Sequence, residues 1–157
     1  MKILYAPSSR EASDDLHRNV ACGFDVLILE ALVSMKQKVF YLPNIKTDKA
    51  VKDSILEIFK DSITWVKVAP KSIDLCVSDI SNIALKYALW TQNPSILCFF
   101  GFTSVSFPAE DKYFSLIQSS THCVYSLKEL KESILQYPKL KQEKTKRIQE
   151  VVNGEMI

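Results

Sequence analysis

Glycine is scarce in this chain, three in 157 residues, and no GxGxxG occurs. The dinucleotide-binding fingerprint is therefore missing. Three glycines and six prolines also argue against disorder or a loop-rich fold. Histidine is limited to His17 and His122, and the cysteines, Cys22, Cys76, Cys98 and Cys123, form no CxxC pair. That spacing carries no zinc signature, and nothing in the sequence requires a metal or a cofactor. No cysteine combines a basic or helix-start environment with a histidine, which argues against a Cys-His enzyme. Cys76 and Cys98 fall in predicted buried strands, where a free thiol acts as a small hydrophobe; reduced, structural thiols are expected, as in intracellular chains. A formal charge of +2 is too small to point to nucleic acid. No apolar run approaches the ~20 residues of a membrane span. Met1-Lys2 leads directly into a strand with no signal-peptide pattern, so a cytoplasmic location is expected.

What remains is an ordinary globular composition, 47% hydrophobic and 24% charged, long enough for one domain with a sizeable core. Lys2 to Ala6 reads as a strand closed by Pro7-Ser8-Ser9-Arg10. Ser13-Asp14-Asp15 is a helix start, with a side-chain cap and acids in the first turn. Its apolar pattern continues through Leu16, Val20, Phe24, Leu27, Ile28, Ala31, Leu32 and Met35, with Cys22-Gly23 as a candidate break. Val39 to Leu42 is a second strand. Thr47-Asp48 precedes a helix with Val51, Ile55, Ile58 and Phe59 on one face. Ile63 to Val68 alternates as an edge strand does.

Residues 73–100 are the most informative stretch. Ile73, Leu75 and Val77 form a strand, Asp79 to Asn82 a polar turn, Ile83 to Leu89 a helix stopped at Asn93-Pro94, and Ser95 to Phe100 a buried strand. This is a βαβ unit, whose ligand site would lie at the carboxyl end of the first strand. Gly101 to Ser120 reads as loop-rich, with Phe102, Phe107, Tyr113 and Phe114 packing under it or lining a cleft. Cys123 to Tyr125 is a short strand. Ser126 with Glu129 is a capping-box pattern for a helix ending near Tyr137-Pro138. A charged, helix-prone tail follows from Lys139. The expectation is an α/β, Rossmann-like three-layer sandwich with five or six mostly parallel strands over residues 1–138, and a helical tail over 139–157.

Ser78, Asp79, Ser81 and Asn82 sit where a helix begins, and exposed N–H groups there attract anions. The competing reading is that Asp79 or Ser81 simply caps the helix. Ser8, Ser9 and Arg10 would share the same sheet edge, where Arg10 is either a forked phosphate contact or a solvated loop residue. His17, close to Asp14 and Asp15, is the one candidate general base, against the plainer reading of a surface histidine. His122 ranks below it. Glu110 and Asp111 are possible cleft residues. Trp65 and Trp90 fit core or edge packing better than base stacking, because no basic stripe surrounds them in sequence. A receiver-like signalling domain is disfavoured: Asp79 could serve as phosphoacceptor, but Pro7-Ser8-Ser9 supplies no acidic pair.

Two stretches converge on one family. Ile3 to Arg10, ILYAPSSR, resembles the ILYAPTWR segment of CDP-glycerol glycerophosphotransferases, and Asp74 to Ile83, DLCVSDISNI, resembles their ADILITDYSSI. Leu85 to Leu97 is similar to the FDYALLNKPIIF that follows. The resemblance implies the C-terminal, nucleotide-binding half of a GT-B glycosyltransferase-type fold, in enzymes that build teichoic-acid and capsule-type polymers. It implies donor-phosphate contacts by Ser78, Asp79, Ser81 and Asn82, with Ser8 and Arg10 matching the first-strand loop. It also implies a CDP-glycerol or nucleotide-sugar donor, an acceptor-binding domain or subunit as partner, and peripheral membrane association only through that partner. Three departures stand out: Leu42-Pro43-Asn44 where the family carries His-Pro, Asn82 for the second serine of the loop, and no acceptor half in these residues. The alternative is a nucleotide-binding or interaction domain that keeps the fold without the chemistry.

Overall fold

The computed structural model describes residues 1–11, 15–79, 81–100 and 111–154, without the side chains of 15–20, 81 and 111–114. Six strands form one all-parallel sheet: β1 (Lys2–Tyr5), β2 (Lys38–Tyr41), β3 (Ile63–Trp65), β4 (Leu75–Ser78), β5 (Ser95–Cys98) and β6 (Thr121–Val124). Their order is β3-β2-β1-β4-β5-β6. The chain thus builds outward from β1 to one edge, then returns to β1 and builds to the other. Helices α1 (Asp15–Ser34), α2 (Lys49–Phe59), α3 (Ser81–Thr91), α4 (Asp111–Ser120), α5 (Leu127–Leu135) and α6 (Tyr137–Val152) flank it. The expected α/β sandwich with a Rossmann-like parallel sheet is what forms.

Strand residues near-continuously apolar, as in LCVS and SILC, suit a sheet buried on both faces. Side-chain alternation divides the core in two. Ile3, Tyr5, Val39, Tyr41, Leu75 and Val77 face α1 and α2. Leu4, Ala6, Phe40 and Cys76 face the other way, against Ile83 and Tyr87 of α3. On that second face residues 66–74, which join β3 to β4, form no helix. Val66, Ala69 and Ile73 pack onto the sheet as loop instead, which leaves the ground beside α3 only partly filled.

Several expectations change. Helix α1 runs unbroken through Gly23, where nothing lies within 4 Å of an added Cβ; one glycine costs a 20-residue helix only ~1 kcal/mol. Residues Ser13 and Asp14, expected to start it, lie outside the described residues. The loop expected over Gly101 to Ser120 contains α4 from Asp111 onward, with Ile117 buried. Phe102, Phe107 and Glu110 lie outside the described residues. The tail is helical as expected: it forms α6, which folds back and buries Tyr137, Leu140 and Ile148 against the domain. The Tyr137 hydroxyl donates to the carbonyl of Pro94 at 2.7 Å. No helix among the described residues is long and apolar enough to cross a membrane.

Candidate functional site

Three loops meet at the carboxyl edge of the sheet, after β1, β2 and β4. What joins them is Arg10, which is 3% exposed. Its Nε donates to Asp25 Oδ2 at 2.9 Å and its Nη2 to Asp25 Oδ1 at 2.8 Å, a two-pronged pair. Nη2 also donates to Asp79 Oδ2 at 3.0 Å, and Nη1 to the Oγ and the carbonyl of Ser8 at 2.6 and 3.2 Å. Together these bonds use all the guanidinium's donors. Asp79 in turn accepts from the Ser8 amide at 2.6 Å and the Ser8 hydroxyl at 2.8 Å. The Arg10 amide donates to Thr47 Oγ1 at 3.1 Å, and the Asp48 amide donates to the Arg10 carbonyl at 3.1 Å. Ser78 Oγ donates to the Ala6 carbonyl at 2.8 Å.

Asp25 and Asp79 are wholly buried. Burial pushes the Asp25 pKa up, and hydrogen bonds from Arg10 and Tyr5 offset this only in part. Burial also works against the charge on Arg10, but the Asp25 hydrogen bonds and the fields of both aspartates outweigh it and hold its pKa above the ordinary value. The Tyr5 hydroxyl donates to Asp25. Its pKa lies well above the usual range, through burial first and then the two carboxylates. The cluster is therefore a neutral tyrosine, a fixed cation and two acids in a dry site, a geometry suited to holding loops rigidly.

The structure brings Ser8, Arg10, Ser78 and Asp79 together. Ser9 turns aside, its hydroxyl donating to Glu11 at 3.0 Å. Asn82 is exposed in the first turn of α3. Ser81 opens that helix and His17 lies in the first turn of α1, both with side chains outside the described residues. His122 is on the far edge strand β6, with its pKa lowered by burial and by Lys144. Reading the sequence alone missed Asp25. The signal was present: Ala21, Asp25, Ile28, Leu29 and Leu32 share one helical stripe, and an acid on an apolar stripe needs a buried partner.

On the opposite face of the same edge lies a cleft of ≈ 450 Å³. Ala6 and Pro7 from the end of β1, Leu42 to Ile45 after β2, Trp65 to Lys67 at β3, Lys52 of α2, and Ile83, Lys86 and Tyr87 of α3 line it. None of those residues is acidic. Trp65 was expected to pack in the core or at an edge without basic neighbours. It is on the edge strand, 42% exposed, and Lys67 Nζ stands 5.8 Å from its ring centroid. No group of three or more potential metal ligands occurs among the described residues. Neither family models nor curated proteins give a match to this chain.

Proposed function

We propose that this chain is the donor-binding domain of a GT-B-type transferase that takes CDP-glycerol or a nucleotide sugar and works with an acceptor-binding domain or subunit. One observation carries the reading: the β1–α1 and β4–α3 loops are locked together where the strand order reverses between β1 and β4. In open parallel sheets this is where ligands bind. The donor's diphosphate lies over Ser78 to Asn82, against the N–H groups that open α3. Asp79 and Ser8 set the shape of that loop, and Arg10 holds both loops in register. Arg10 reaches a phosphate only by releasing a carboxylate. Attack by an acceptor hydroxyl expels the nucleoside monophosphate in glycerophosphate transfer, or the diphosphate in glycosyl transfer. His17 is the candidate base, by its place at the same sheet edge.

The test is calorimetric titration of CDP-glycerol, CDP, UDP and UDP-sugars against the chain and its Ser81→Ala and Asn82→Ala variants. Selective binding of one donor class, weakened severalfold by either substitution, supports the reading. No binding by any nucleotide at millimolar concentration refutes it. A second reading, a domain that keeps the fold and not the transfer chemistry, is favoured by the wall of the cleft. There Leu42-Pro43-Asn44 stands in place of the resembled family's His-Pro pair. Donor binding without turnover in the presence of an acceptor half would single it out.

A further inference from the structure

We infer that the cleft between β3 and α3 binds an aromatic ring carrying phosphate, with the ring against Trp65 and with Lys52 and Lys86 drawing in the phosphate end that the start of α3 then holds; identifying that ligand as a nucleoside diphosphate rests on the donor-domain reading. Two walls of the cleft each present a ring with an ammonium over it. Lys67 Nζ is 5.8 Å from the Trp65 centroid, and Lys86 Nζ is 5.7 Å from that of Tyr87. Lys52 adds a third cation from α2. None of the three lysines pairs with an acid among the described residues. A concave site with three cations and no acid in its lining selects anions, and low-dielectric walls sharpen that selection.

The aromatic component follows from Trp65. A half-exposed tryptophan on a three-residue edge strand adds little to the core, and a planar ring stacks on it by moving the flexible Lys67 ammonium from over the ring towards the phosphate end. The tryptophan is open because the chain crosses from β3 to β4 as loop rather than helix on this face. The volume, ≈ 450 Å³, falls within the range of small-molecule and cofactor sites. Ala6 and Pro7 belong to both the cleft wall and the start of the β1–α1 loop. The cleft is therefore continuous with the β1–α1 loop at the switch point.

The experiment uses the Trp90→Phe chain, so that Trp65 is the sole tryptophan, and follows its fluorescence with calorimetry in parallel. CDP, UDP and ADP are titrated beside cytidine, which lacks phosphate, pyrophosphate, which lacks a ring, and 1-naphthyl phosphate, which has both without a ribose. The expected result is Trp65 quenching by a nucleoside diphosphate, with cytidine and pyrophosphate each at least tenfold weaker. Trp65→Ala weakens binding roughly tenfold or more, and Lys52→Glu with Lys86→Glu abolishes it. These side chains are at least partly solvated, and melting curves check that each variant folds. Nucleotide binding that leaves Trp65 unquenched and survives Trp65→Ala overturns the cleft assignment and leaves the donor reading standing. Trp65-dependent binding of 1-naphthyl phosphate alone, with no nucleotide bound, does the reverse. Failure of every titrant overturns both.

Discussion

Replacing Arg10 with methionine keeps most of the side chain's volume and removes only its charge and its donors. Asp25 and Asp79 are then left buried without the cation that holds both. Breaking a buried ion pair from one side costs roughly 3–5 kcal/mol, a large part of the ~5–15 kcal/mol that stabilises a typical domain. The cost should depend on pH, with a definite sign. Burial already raises the Asp25 pKa, and Arg10 is the main influence pulling it down. Without Arg10 the folded-state value climbs further, while the unfolded value stays near the ordinary 3.8. Between those two values the folded variant binds more protons than the unfolded chain, so its stability rises as pH falls. Wild type has the same sign with a smaller shift. The deficit of Arg10→Met should therefore be largest near pH 8 and shrink towards pH 5. Asp25→Asn added to Arg10→Met should recover part of the loss at pH 8 and flatten the dependence. Urea unfolding followed by circular dichroism at several pH values measures all of this. A cost below ~1 kcal/mol at pH 8, or one independent of pH, would refute the assignment of a charged, dry cluster.

Other expectations are simpler. Ser126 accepts from the Glu129 amide at 3.1 Å, and the Glu129 carboxylate accepts from the Tyr125 amide at 2.6 Å; Ser126→Ala should cost ~1 kcal/mol of unfolding free energy. Lys36, two residues past the end of α1, has φ 59°, in the left-handed region, so Lys36→Gly should raise stability by roughly 1 kcal/mol or less, read as a shift in the urea midpoint. Cys76 and Cys98 are buried and burial pushes both thiols up. A thiol reagent at pH 8 should therefore label half-buried Cys22 first and Cys123, whose thiol burial also pushes up, more slowly in the native protein, and reach the other two only after denaturation; rapid labelling of all four would contradict the packing.

The alternation of apolar strands with helices determined the fold class, because hydrophobic period is a local property and the described residues from Lys2 to Cys98 and from Thr121 to Ile134 follow it. The capping box at Ser126 and the edge position of β3 were legible for the same reason. The proximity of Ser8, Arg10, Ser78 and Asp79 could also be anticipated, since loops after parallel strands share one sheet edge. Their roles could not. Whether Arg10 faces solvent or two carboxylates depends on Asp25, fifteen residues away on a helix, and on the way α1 crosses β1. Composition misled at Gly23, where the helical spacing was right, and in α4, where aromatic and polar residues read as loop. Trp65 shows the limit most clearly. In sequence its surroundings are unremarkable, and only folding places Lys52, Lys67 and Lys86 around one cleft, because the charge of a site is a sum over neighbours in space and the chain order does not record who those neighbours are.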